Sequence, residues 1–448
     1  MLTDQQGNAL TGATPEAVGL FDQAVAMFNV YRGDPFSCLD DAIKAAPEFV
    51  MAYVLKAQLL ALATEPAAMG MARAIIEKLK SMHLSEREAS HVAALEQLLA
   101  GHWIDAAVAL DQHNVDYPHD IVGIQFGHLL DFYRANRRNL RDRIARILPR
   151  WSKDLPGYPV LLGMYSFGLE ETNDYARAEA IGRRAVELQP LDCWAHHAVA
   201  HVMEMQGRPQ DGINWMITRE PHWSGDDNFF KVHNWWHRAL FHLELDQMDD
   251  ALALYDDAVR QNASAIALEL IDASALLWRL HLAGVDVGNR WQEVAETWDQ
   301  HADGSTYPFN DWHAAMAYLG AGRDSDVDGL ITKLRNTSNG QGDIAEWTRR
   351  NALPLVEGFI AFWRGDYSTA VNRLHGARYV ANSFGGSNAQ HDITDLTLTE
   401  AALRGDFTDL AQALACERLA LKPHSVINQK FLSRSNVNVQ STPVTQPA

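Results

Sequence analysis

A six-residue pattern recurs along the chain as Gly101-His-Trp103-Ile-Asp-Ala106, Asn173-Asp-Tyr175-Ala-Arg-Ala178 and Gly365-Asp-Tyr367-Ser-Thr-Ala370. Each copy reads as a helix end, an aromatic and then a small residue that opens a second helix. Pro118 and Pro190 stand equally far beyond the first two alanines, where each would close that second helix before another begins. Gly207-Arg-Pro-Gln-Asp-Gly212 and Asp246-Gln-Met-Asp-Asp-Ala251 keep part of the pattern, at a period of roughly 34–39 residues, which is the length of a stacked helical hairpin. Elsewhere apolar residues recur three and four apart, and long alternating β-branched runs are missing, so helices are expected almost everywhere. The expected fold class is all-α, an α-solenoid of antiparallel helical hairpins.

With 448 residues, 47% of them hydrophobic, the chain can bury a large core. Length alone would suggest two or three domains, but the repeats favour a single array over residues 16–430, between flexible tails at 1–15 and 431–448 that are polar and lack helical periodicity. A formal net charge of -19 speaks against nucleic acid and anionic membranes as partners, because those surfaces require clustered Lys and Arg. No apolar run reaches the roughly eighteen residues a membrane helix needs. Cys38, Cys193 and Cys416 are too few and too scattered for a disulfide framework or a zinc knuckle, and the first twenty residues lack a signal-peptide core, so a cytoplasmic protein is expected.

The Gly-x-aromatic-x-x-Ala signature resembles the tetratricopeptide repeat. More specifically, Arg87-Glu-Ala-Ser-His91, Tyr165-Ser-Phe-Gly-Leu-Glu-Glu-Thr-Asn173, the run from His197 to Met205, His233-Asn-Trp-Trp-His237, Phe309-Asn-Asp-Trp-His313 and Gly385-Gly-Ser-Asn-Ala-Gln390 together resemble the tetratricopeptide repeat protein 38 family, over residues 15 to 425. The resemblance implies a TPR-like array strongly curved around a central groove or pocket, and it implies no reaction. The chain departs from ordinary repeats at His196 and Ser166, where a Trp or Gly is usual, and residues 265–350 carry no clean signature. In such arrays the first helix of each hairpin lines the concave groove, which implies that His197, His201, Glu204, His233, Glu88, His91, Phe167 and Glu170 face it, with His237 one position off.

The chemistry-bearing residues concentrate in two segments. His197, His201 and Glu204 are four and three residues apart; His233, His237 and Glu244 are four and seven apart. On a helix each trio falls in one stripe. Three readings compete. The histidines can be core residues whose nitrogens are individually satisfied. They can form a metal site, since His at i and i+4 with a nearby carboxylate supplies ligands that zinc, iron or manganese accept; His197, His201, Glu204, His233 and His237 are the candidate ligands, although the His-Glu-x-x-His motif is absent. Or they can bind a polar ligand or move protons without metal, with Trp194, Trp223, Trp235 and Trp236 as pocket walls.

The same five residues are the catalytic candidates, and Glu88, His91, Glu170, Trp194, Trp236, Asp311 and His313 are the binding candidates. Asp311 and His313 would join the cluster from across the superhelix. Ser85-Glu-Arg-Glu88 also matches a capping box, which would give Glu88 a helix-start role instead. Cys193 is a nucleophile only if exposed, the loop Phe384 to Asp392 reads first as a turn, and Asp272 and Arg279 read first as an ion pair or solvated face. Two function classes therefore stand. One is a His/Glu/Trp-rich pocket for a polar small molecule, with catalysis of a metal-dependent or acid–base kind such as hydrolysis; the other is a non-catalytic scaffold for a peptide or protein. A homo-oligomer is compatible with both.

Overall fold

The computed structural model describes residues 2–435. Among them the fold is all-α: regular elements run from Pro15–Val30 to Val426–Arg434, and the only β pairings are isolated bridges at Thr3 with Ala9 and Arg32 with Asn228. The hairpin turn is built the same way repeatedly. Gly101, Asn173, Gly207, Asp246, Gly284, Gly322, Gly365 and Asp406 all take positive φ at the end of a first helix. The next amide then reaches back to the helix, as in His102 N to Gln97 O at 2.9 Å and Arg323 N to Tyr318 O at 2.9 Å, satisfying carbonyls that the helix leaves open.

Five residues after each turn residue comes the small side chain that lets the second helix approach. Ala106, Ala178, Ala251 and Ala370 are all fully buried. At Gly212 a Cβ would lie 2.3 Å from the Phe241 ring, so the close approach there demands glycine. The stretch 265–350 contains two such hairpins after all, Ala267–Leu282 with Arg290–Trp298 and Pro308–Gly320 with Asp324–Ser338. Their signature is obscured because Val327 replaces the small residue and the Gly284 turn runs on to Asn289 before the next helix.

First helices are buried on every face, as in Ile121–Tyr133, Cys193–Met205 and Pro308–Gly320, whereas second helices such as Arg137–Ile147 and Tyr175–Leu188 bury one stripe. The inner layer is enclosed because the array curls onto itself. The Asn388–Arg404 helix packs against both Ala267–Leu282 and Cys193–Met205. The Tyr133 carbonyl accepts from Tyr307 Oη at 2.8 Å and from Gly385 N at 2.9 Å, and Trp103 stacks on Tyr307 with ring centroids 5.5 Å apart.

The termini differ from expectation. Residues 2–14, read as a loose tail, fold into a small turn closed by Asp4, whose carboxylate accepts from Asn8 N at 2.8 Å. That turn docks: Thr11 N donates to Glu88 Oε1 at 2.9 Å, Val50 N donates to Thr11 O at 3.2 Å, and Leu10 is buried. At the other end the Val426–Arg434 helix, N-capped by Ser425, carries the array past residue 430; the remainder of the expected tail, from Asn436 onward, lies outside the described residues. No helix among the described residues is long and apolar enough to cross a membrane.

Candidate functional site

Two adjacent inner helices, Cys193–Met205 and Lys231–Glu244, bring His197, His201, His233 and His237 together with one ring nitrogen from each within 4.8 Å of the others, and a third, Tyr158–Glu171, brings Glu170 and Glu171 beside them. The Cys193–Met205 helix is started by Asp192, which accepts from Ala195 N at 3.0 Å, and its i, i+4 spacing stacks His197 over His201 with centroids 4.3 Å apart. The next inner helix supplies His233 and His237 at the same spacing. His237, expected slightly off the groove face, turns fully into the cluster.

Carboxylates orient the rings from behind. His233 Nδ1 lies 2.9 Å from Asp272 Oδ2, and His237 Nδ1 lies 3.0 Å from Glu204 Oε2. A carboxylate only accepts, so both Nδ1 atoms carry a proton, and in the neutral rings both Nε2 atoms present lone pairs. Those two Nε2 atoms face each other at 3.2 Å, and His197 Nε2 sits 3.1 Å from His233 Nε2. His197 has one proton to offer and can quiet only one of the two lone pairs. Neither nitrogen of His201 forms a hydrogen bond; its Nδ1 is 3.4 Å from Glu170 Oε2, beyond the usual N–H···O reach. Protonating a second nitrogen is opposed by the surroundings, since burial and the neighbouring imidazoles hold His197 and His237 well below the ordinary imidazole range, and burial lowers His201 to about 4. Imidazoles disfavoured from protonation at His197, His201 and His237, with carboxylates holding His233 and His237 from outside, make a donor set that suits a divalent cation.

The acidic side of the site is equally perturbed. Burial, with the charge of Glu204, pushes Glu170 well above the usual carboxylate range, and burial with Glu170 lifts Glu171 to about 7. Glu171 is also a tie between distant segments, accepting from Arg137 Nε and from Asn388 N, each at 3.0 Å. Two cavities flank the centre. One, of about 480 Å³, is lined by His197, His233 and Asp272 together with Trp194, Leu129 and Ile271. The other, of about 170 Å³, is lined by charged groups that include Glu204, Arg279, Asp392 and Arg418.

Of the residues singled out in the sequence, Glu204, Glu170, Trp194 and Trp236 join the four histidines. Trp194 packs against His197 with centroids 5.3 Å apart, and Trp236 stacks on His233 at 5.2 Å. Four others do not join them. Glu88 forms the capping box with Ser85 and holds Thr11. His91 belongs to a separate network with His113 and Asp120. Asp311 accepts from Gly304 N at 2.9 Å and His313 Nδ1 donates to Phe309 O at 2.8 Å, both within their own hairpin. Trp223 and Trp235 pack edge to face on each other rather than walling a cavity, and Glu244 faces the charged cavity. Cys193 is buried, its thiol reaches Val30 O at 3.2 Å, and burial pushes it well above its ordinary value, so it is no nucleophile. The glycine loop is a tie: His391 Nε2 bonds Gly385 O while Gly385 N bonds Tyr133.

Asp272 was missed as a site residue. It and Arg279 do not pair; Asp272 turns to His233, while Arg279 donates to Ala389 O at 2.9 Å and lies over the Trp236 ring. The available signal was a lone carboxylate inside the otherwise apolar run Leu270-Ile-Asp-Ala-Ser-Ala-Leu-Leu277.

No family model matches the chain. Among solved structures it is similar to the crystal structure of the APC/C hetero-tetramer Cut9-Hcn1, with 15% identity, a TM-score of 0.43, and coverage of 94% of this chain and 76% of that one. It is also similar to the human IFIT1 dimer with m7Gppp-AAAA, with 12% identity, a TM-score of 0.41, and coverage of 93% and 94%. At this level of similarity neither structure informs the histidine centre.

Proposed function

We propose that this protein is a metal-dependent small-molecule enzyme of the tetratricopeptide repeat protein 38 family, acting in the cytoplasm, with His197, His201, His233 and His237 as ligands of a divalent cation. The observation that carries the reading is the pair of Nε2 atoms of His233 and His237 facing each other at 3.2 Å, each ring held at Nδ1 by its own carboxylate. A cation held by these rings would remove the repulsion and engage one of the two unpartnered nitrogens of His201. Asp272 and Glu204 then act as the outer partners that hold ring orientation and raise ligand basicity. Four imidazoles fill a tetrahedral zinc shell, whereas six-coordinate iron or manganese keeps two positions for substrate or water, which favours the latter metals if the centre is catalytic. A bound cation of this kind supplies a Lewis acid and a more acidic water, the requirements of hydrolysis.

A peptide- or protein-binding scaffold is the second reading, supported by the hairpin-array architecture itself. The Asn388–Arg404 helix packed on the inner face weighs against it, because an extended peptide needs that surface free. Elemental analysis of protein purified without an affinity tag is the deciding test. About one equivalent of a first-row metal per chain, lost in a His233→Gln/His237→Gln double variant, is expected; protein that neither carries nor takes up zinc, iron or manganese overturns the reading.

A further inference from the structure

The larger cavity beside the centre is chemically lopsided. Its wall is formed by apolar and aromatic side chains such as Leu62, Leu129, Phe132, Trp194 and Ile271. Most polar groups that reach it are already engaged: Tyr133 Oη donates to Leu62 O at 2.8 Å, Arg32 pairs with Asp227, Glu65 accepts from Ala267 N, and Asp272 holds His233. The exceptions are Glu269, whose carboxyl burial raises above its ordinary range, and the imidazole edge. His197 is buried, lines the cavity, and has an Nδ1 without a hydrogen-bond partner. At the outer side Met71 and Phe229 are 54% and 47% exposed, so the cavity reaches the surface between apolar side chains. A volume of about 480 Å³ falls within the range of small-molecule sites.

We infer that the cavity takes an amphiphile: an apolar body lying along Leu129 and Ile271, with a single carboxylate or ester head whose oxygen would accept from His197 Nδ1–H when His197 Nε2 is the metal ligand. A fully polar ligand would desolvate its groups against a wall that offers them few partners, whereas an apolar body gains from its burial. The three rings nearest the centre, Tyr31, Trp194 and Phe230, pack on one another with centroids 5.3 to 5.7 Å apart and so form a wall, leaving no cage for a cationic head. This inference deepens the reading of the histidine centre as a ligand site and rests on it, although the apolar selectivity does not depend on the metal.

The test is calorimetric titration of the full chain with saturated monocarboxylates from hexanoate to hexadecanoate. One site per chain is expected, with affinity rising about three- to fourfold per methylene until the cavity is filled. Ile271→Trp, which fills the cavity, should weaken dodecanoate at least tenfold; Leu129→Phe is the milder variant should the first fail to fold, and it should shorten the best-bound chain. Affinity independent of chain length, several equivalent sites per chain, or variants that bind like the parent would overturn the inference. Metal content measured on the same samples separates the two ideas: chain-length dependence in protein that binds no metal sinks the metal centre alone, and a metal-loaded protein indifferent to chain length sinks the amphiphile alone.

Discussion

Two histidine networks lie in the inner layer, and they are built from the same residue types to opposite ends. In the first, Asp120 accepts from His91 Nε2 at 2.8 Å and His113 Nε2 at 3.2 Å and pairs with Arg87, while Gln58 Nε2 donates to His91 Nδ1 at 3.1 Å and Ser90 Oγ meets His113 Nδ1 at 2.6 Å. Every ring nitrogen there has a hydrogen-bonding partner, and one cation meets one anion. In the second, the four rings around His233 have their outer nitrogens partly held and their inner nitrogens set against one another. A buried polar network stabilises a fold only when its members are satisfied, so the first is a fixture of the scaffold and the second is, on the proposed function, an arrangement kept for a ligand.

The largest effect that bears on this contrast is expected at Asp120. Asp120→Ala strands the buried Arg87 and removes the acceptor of Gly123 N at the start of the Ile121–Tyr133 helix, and should cost about 3–5 kcal/mol in urea unfolding with metal content unchanged. A loss under about 1 kcal/mol would erase the distinction drawn between the two networks.

Next comes the response to acid. His91 is lowered from 6.5 to about 4, by burial first, against the opposing pull of Asp120 and with the help of His113 and Arg87. The folded state therefore binds fewer protons than the unfolded one between these values. Its contribution is fully present above pH 6.5 and is lost as pH falls through about 4, on the order of 2–3 kcal/mol. The slope of stability with pH should be shallower in His91→Gln across that window; an unchanged slope shows that His91 is not the buried neutral imidazole described here.

Smaller still is the outer-partner effect in the second network. Asp272→Asn keeps the size of the side chain but weakens its hold on His233 Nδ1, and metal affinity should fall about 10–100-fold by competition with a chelator. The smallest expected change is the most discriminating. In metal-free protein His237→Gln removes one of two opposed lone pairs, so stability should stay within about 1 kcal/mol of the parent or rise, as substitutions at sites kept for function often allow. A loss of several kcal/mol would place this cluster in the same class as the first.

The sequence carried the array and the two His pairs because both are periodic. The turn residue, the small residue five later and the i, i+4 histidines are local patterns, and local patterns survive in one dimension. What it could not carry was the difference between His91 and His197. Both sit on inner helices near a carboxylate, and only the partners brought from Gln58 and Asp120 in one case, and from His233 in the other, set them apart. Asp272 was hidden for the same reason, since its partner lies on the neighbouring helix and Arg279, seven residues on, offered a plausible local one. The docked amino terminus escaped because its stabilising acceptor, Glu88, lies far along the chain.

The carbonyl of Tyr133, which ties Tyr307 and Gly385 to an early hairpin, changes how such a chain should come apart. Open repeat arrays melt piecewise, because each unit leans only on its neighbours. Here units separated by most of the chain share bonds, and the same inward curl assembles the apolar cavity from segments as distant as Met27, Leu129 and Ile271. Unfolding is then expected as a single cooperative event, in which whatever fills the cavity is felt by every hairpin at once. A ligand for this protein would announce itself as a rise in the melting temperature of the whole chain.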